Sequence, residues 1–204
     1  MPNIGFKPYA AGVAMHASID ACLELRRQLG LSRASTVADV GRALERLRSV
    51  ELIMATRGFA TLPRGREITA GLQAKFSMYN SATIAFVKGH VDPNDFSDDI
   101  VVDPQVKAFR DMLTLVGNDD LPHAVVRFRA ELRDGSTLTG EIDQPIGSPD
   151  KPMSDADIRG KLLDAGRGRV EEPSLERLAD LAERLDQVQD AATLVELAVP
   201  LAAR

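Results

Sequence analysis

Apolar residues recur along this chain with two different periods. Met15, Ile19, Cys22 and Leu23 follow helical spacing, and Gly30 stands where a C-cap is expected. Ser35 or Thr36 can cap a second helix that places Val37, Val40, Leu44 and Leu47 on one face. The stretch 49–62 changes to β-favouring residues and predicts a strand running into a Pro/Gly/Arg loop. Small and apolar residues from Phe76 to Val87 suit a buried helix that stops at Gly89. Helix-start chemistry recurs at 92–96 and at Asp103-Pro104. Residues 3–9 read as a short strand ended by Pro8, and 112–119 as another.

The period switches to two at Val126, Phe128, Ala130 and Leu132, which alternate with Arg127, Arg129, Glu131 and Arg133. Asp134-Gly135 is a hairpin turn leading into a further strand from Thr137. One face of that hairpin is apolar and the other charged, which predicts an antiparallel sheet with one wet side. Ser154 is a good N-cap for the helix after the loop at 146–153. "GRGRVEEP" then reads as a linker. Beyond it Leu178, Leu181, Leu185, Val188, Ala192 and Val195 form an amphipathic stripe with an expected break near Asp190. The fold class expected is α+β: an antiparallel sheet layered with helices, plus a C-terminal helical arm. The expected division is 1–166 for the α+β domain and 167–204 for the linker and arm.

With 204 residues, 44% of them hydrophobic and 27% charged, the chain can bury one substantial core. Aromatics make up only 4%, so that core rests on Leu, Val, Ile, Ala and Met. A net charge of -5 argues against a nucleic-acid partner. One cysteine, Cys22, allows no intrachain disulfide and suits a reducing, cytoplasmic setting. Neither a signal-peptide pattern nor a membrane-length apolar run is present, so no membrane partner is expected.

Motif chemistry is sparse. There is no GxGxxG, Walker or HExxH motif, and His16, His90 and His123 lie far apart in sequence, so no metal site is expected. What stands out is "FKPYAAGVAMHASIDACLELR" at 6–26. Pro8 biases Lys7 toward an extended backbone, and the small residues after it let a ligand approach. The helix that follows offers unpaired N–H groups, a seat for a carboxylate. On spacing alone an exposed strand-end Lys7 and a helix-surface His16 are the plainer reading.

The same stretch resembles the start of the C-terminal domain in the MmgE/PrpD family. That family includes 2-methylcitrate dehydratase, cis-aconitate decarboxylase and iminodisuccinate epimerase. "LQAKFSMYNSATIAFVKGHVDPNDF", "DPQVKAF" and "AVVRFRAELRDGSTLTGEIDQPIGSPDKPMSDADIRGKL" follow in the family's order, so the resemblance spans roughly 5–166. It implies proton abstraction next to a carboxylate on small di- or tricarboxylates, with neither a metal nor an organic cofactor. By the same resemblance Lys7 falls at the family's active-site lysine and His16 at the histidine preceding the helix. Asn80 falls where a tyrosine or histidine often faces the pocket, and Tyr79 beside it is a partial substitute. Gly12 stands where the decarboxylase branch has a histidine, which makes decarboxylation the least supported reaction.

Family chains are about twice as long, and their helical N-terminal domain supplies much of the site. Two expectations follow. In the first, the chain is the C-terminal half of a lyase or isomerase, a dehydratase or epimerase inactive alone. A separate helical partner chain, a homo-oligomer or both would complete it. In the second it is a non-catalytic remnant or interaction module that keeps the fold.

Overall fold

The computed structural model describes residues 4–58 and 67–201. They gather into two compact units, the first ending at Pro152 and the second starting at Met153.

In the first unit, helix α1 (His16–Gln28) is followed by α2 (Val37–Arg46), which runs straight into strand β1 (Leu47–Met54). Thr36 caps α2: its hydroxyl accepts from the Asp39 N–H, and the Asp39 carboxylate answers the Thr36 N–H. A short helix α3 (Gly71–Ala74) precedes α4 (Met78–Lys88), capped by Ser77 and ended at Gly89 with φ 77°. Helix α5 (Asp98–Val101) leads to α6 (Pro104–Met112), where Asp103 accepts the first N–H groups and Pro104 opens the first turn. Strand β2 (Leu113–Gly117) again follows its helix without a loop, and β3 (Val126–Leu132) and β4 (Thr137–Ile142) form the expected hairpin.

The strands are ordered β2-β1-β3-β4. β1 pairs antiparallel with β3, and β3 with β4, matching the antiparallel expectation. The β1–β2 pair is parallel, a feature that no local pattern announces. The α2–β1 and α6–β2 segments lie side by side in the same direction, and Gln105 Nε2 donates to Val37 O at 2.8 Å. The inner face is built by Val50, Leu52 and Met54 of β1 and by Val126, Phe128, Ala130 and Leu132 of β3, all buried. Gly140 stands opposite Phe128, and a side chain there would overlap that ring. Against this face pack α1, α4 and α6, with Phe86 and Phe109 stacked at 4.0 Å between centroids. The outer face carries Arg127, Arg129 and Thr139, exposed.

In the second unit, Ser154 and Asp157 form a capping box for α7 (Asp155–Gly166), and α8 (Glu172–Ala182) follows. Arg159 on α7 meets Glu176, Asp180 and Glu183 at 2.7, 2.8 and 3.0 Å. A last short helix, α9 (Ala192–Leu197), ends the described chain.

Three sequence expectations are corrected. Residues 4–9 do not form a strand: Pro8 has no N–H, and among the described residues the segment's backbone link to a neighbour is a single bond from Phe6 N to Gly147 O at 2.8 Å. Residue 3 lies outside the described residues. The strand expected over 49–62 is β1, which ends at Met54 before a 3-10 turn at Thr56–Gly58; 59–62 lie outside the described residues. The C-terminal stripe does break before Asp190, but the break opens earlier than expected. α8 ends at Ala182, and Asp190 accepts from Ala192 N at 2.9 Å to start a new one. The buried apolar residues of α8 are Leu175 and Ala179, while Leu185 and Val195 are exposed.

Among the described residues, no helix is long and apolar enough to cross a membrane.

Candidate carboxylate site

Helices α1 and α4 run in the same direction. Near their starts, Ser81 Oγ donates to Met15 Sδ at 3.2 Å. Near their ends, Arg26 donates to the carbonyl oxygens of Phe86 and Val87, the latter at 3.1 Å. Their positive dipole ends therefore lie on the same side of the layer.

Beside the first turns of α1 lies the strap formed by residues 4–10. Tyr9 packs its ring edge-on against His16, centroids 5.4 Å apart at 82°. Its hydroxyl donates to Asp20 Oδ1. His16 and Asp20 are one helical turn apart, so they share a face of α1. Both are buried, at 3% and 5% exposure. The second Asp20 oxygen accepts from Ile146 N at 2.8 Å, which brings in the loop 144–152. Burial pushes the Asp20 carboxyl above its ordinary range, opposed by the Tyr9 and Ile146 bonds and by the charge of Lys151. Lys7 is exposed on the strap, between Phe6 and Pro8.

The other two expected residues sit elsewhere. Tyr79 and Asn80 occupy the first turn of α4, but successive helix residues point about 100° apart. The Tyr79 hydroxyl accepts from Leu115 N on β2 at 3.4 Å. Asn80 is fully buried, and its Oδ1 accepts from Arg110 Nη1 at 3.0 Å. Arg110 also donates to Val101 O at 3.3 Å, and burial lowers its pKa. Ser81, one residue on, meets Met15 at the start of α1. The structure thus joins Lys7's strap with His16 and directs Tyr79 and Asn80 toward β2 and α6.

Sequence reasoning named neither Asp20 nor Tyr9 as a site residue. A signal existed: Asp20 is an acid inside the apolar run of Met15, Ile19 and Cys22, one turn after His16.

Among the described residues, His90, Asp92 and Asp95 bring potential metal-ligand atoms within 4.8 Å of one another. Helix-start bonding engages one oxygen of each carboxylate, and His90 Nδ1 lies 2.9 Å from Asp95 Oδ2 and 3.4 Å from Asp92 Oδ2. Asp95 Oδ2 accepts from Asp92 N at 2.8 Å, and Asp92 Oδ1 from Asn94 N at 2.7 Å.

Comparison with known proteins decides the family. The MmgE/PrpD C-terminal domain family matches residues 9–187. This chain belongs to that family. Mouse (Mus musculus) cis-aconitate decarboxylase is 25% identical over 201 residues, covering 96% of this chain and 39% of the mouse protein. The chain therefore spans well under half the length of that relative. The matched MmgE/PrpD region starts at Tyr9, so it includes His16, Asp20 and the 144–152 loop, while Lys7 lies two residues before it.

Proposed function

We propose that this chain is the C-terminal, carboxylate-binding part of a cofactor-independent lyase or isomerase acting on small di- or tricarboxylates. A separate helical chain completes its catalytic site, and the reaction is dehydration, as on 2-methylcitrate, or epimerisation. Lys7 supplies a cation for a substrate carboxylate, and His16 lines the same wall. The observation that carries this reading is the joining of the Lys7 strap to the first turns of α1 through Tyr9, His16 and Asp20. Nearby, the N-terminal ends of α1 and α4 add positive potential for an anion. The mouse relative's name, cis-aconitate decarboxylase, supports the substrate class. Gly12 disfavours decarboxylation itself, since it offers no side chain for proton transfer.

The test is co-expression with a helical polypeptide encoded beside this chain, followed by assay of 2-methylcitrate and cis-aconitate turnover. The expected result is a stable complex whose kcat/KM falls about 100-fold on Lys7→Ala. Turnover unchanged by that substitution would reject Lys7 as the carboxylate contact.

A second reading, a non-catalytic module that keeps the fold, draws on Asn80. Its amide is held by buried Arg110 in the helix layer. That reading expects co-purification with a helical partner and no turnover.

A further inference from the structure

We propose that Asp20 is a positioning residue: its one buried carboxylate ties the Lys7 strap to the 144–152 loop and so fixes where the Lys7 side chain begins. This rests on the carboxylate reading of Lys7 given above.

Three chain segments meet at Asp20. The carboxylate belongs to α1, one hydroxyl donor comes from Tyr9 on the strap, and one backbone donor comes from Ile146. A carboxylate this buried is costly unless donors satisfy it, so the site strongly favours both staying in place. The strap and the loop also meet directly. Phe6 N donates to Gly147 O at 2.8 Å, and a Cβ on Gly5 would lie 2.5 Å from that same oxygen. Gly147 has φ 83°, and a side chain on it would overlap Phe6 O. Within the loop, Gly147 N donates to Lys151 O at 2.8 Å, so the turn that presents Gly147 is itself closed.

Lys7 sits between these two anchors. Phe6 is tied to Gly147 and Tyr9 to Asp20, while Pro8 restricts the backbone of Lys7 to extended conformations. With both neighbours held, the Lys7 backbone has little freedom left. Asp20 secures one anchor through Tyr9 and, through Ile146, the loop that carries the other. A lysine placed in this way loses less freedom when a carboxylate binds it.

Two measurements on the full chain test this. The first is amide hydrogen exchange. Asp20→Ala is expected to speed exchange at both Ile146 and Phe6 by about tenfold or more, leaving Val50 and Leu52 in β1 protected. Phe6 protection equal to wild type would overturn the proposal. Asp20→Asn keeps a carbonyl acceptor of the same size and is expected to restore much of the protection at both amides; failure to restore any would count against the carboxylate geometry.

The second is calorimetric titration with cis-aconitate of the complex with the helical partner chain, carrying wild type, Asp20→Ala, Lys7→Ala or the double variant. If Asp20 acts through Lys7, its substitution weakens binding in the wild-type background and does nothing further in Lys7→Ala. Equal weakening in both backgrounds would overturn the positioning role. Absence of wild-type binding, or binding unchanged by Lys7→Ala, would sink the carboxylate reading of Lys7. The exchange result at Phe6 would then decide, by itself, whether Asp20 holds the strap.

Discussion

Arg26 on α1 closes the end of α4, donating to Val87 O at 3.1 Å and to Phe86 O, while its second terminal nitrogen reaches Ser32 O at 2.7 Å. Helix ends leave carbonyls without partners, and here a guanidinium from a neighbouring helix takes them. Gly89 then turns the chain away in the left-handed region, and a Cβ there would lie 2.9 Å from Arg26 Nε. Two requirements thus fall on one glycine, a positive φ and room for an arginine.

Arg26→Ala is therefore expected to destabilise the chain by about 3 kcal/mol, because buried carbonyls lose a charged donor. Arg26→Lys should recover little, since a single ammonium cannot match the planar fork. Gly89→Ala should cost about 1 kcal/mol or more in the wild-type background and less beside Arg26→Ala, where the crowding is gone. Urea midpoints of wild type and the four variants check these; strict additivity of Arg26→Ala and Gly89→Ala would show that crowding contributes nothing.

Gly140→Ala tests the hairpin's inner packing. The new methyl would overlap the Phe128 ring, so it should destabilise by about 1–3 kcal/mol although alanine suits a strand better than glycine. In a Phe128→Leu background the penalty should shrink, since the clashing ring edge is absent. A Gly140→Ala chain as stable as wild type in thermal melts would mean that the strand shifts to accommodate it.

What the sequence made legible was local. Thr36, Asp103 and Ser154 announce helix starts, Gly30 and Gly89 helix ends, and Asp134-Gly135 the hairpin, because each signal and its partner lie within a few residues. Contacts between distant segments left no such mark. The parallel β1–β2 pair depends on a crossover through several helices, and Asp20 meets Ile146 across 126 positions. Family resemblance supplied the order of the motifs but not their facing. It placed Lys7 and His16 in one stretch, where Tyr9 meets His16, yet the twist between neighbouring helix positions sent Tyr79 toward β2 and Asn80 toward α6.

Asp20 should leave a signature in the pH dependence of stability. Its folded pKa is raised above the ordinary 3.8, mainly by desolvation, so the folded state holds the proton more tightly than the unfolded chain. Its contribution is then fully present below about pH 3.8 and is lost as pH rises through the higher folded value. Asp39, Asp134 and Asp157 have lowered values from their capping and turn bonds, and act in the opposite sense. Subtracting the Asp20→Asn variant cancels them. Wild-type stability minus that of Asp20→Asn should therefore fall as pH rises above about 3.8 toward neutrality in denaturant titrations. A difference that rises over that window would mean that the Tyr9 and Ile146 bonds outweigh burial.

Asn80 separates a role in packing from a role in binding. Its Oδ1 and Val101 O both accept from Arg110 Nη1, and all of this lies inside the layer between α4 and α6. Asn80→Ala removes one acceptor from a buried cation and should cost about 2–3 kcal/mol. Replacing both partners, as in Asn80→Leu with Arg110→Met, should recover part of that loss, because no charge is then left buried without its acceptor. Affinity for cis-aconitate should stay within about twofold of wild type in the double variant, provided it folds. A much larger loss of affinity at unchanged stability would place Asn80 on the ligand, and the family's pocket would then extend to the first turn of α4.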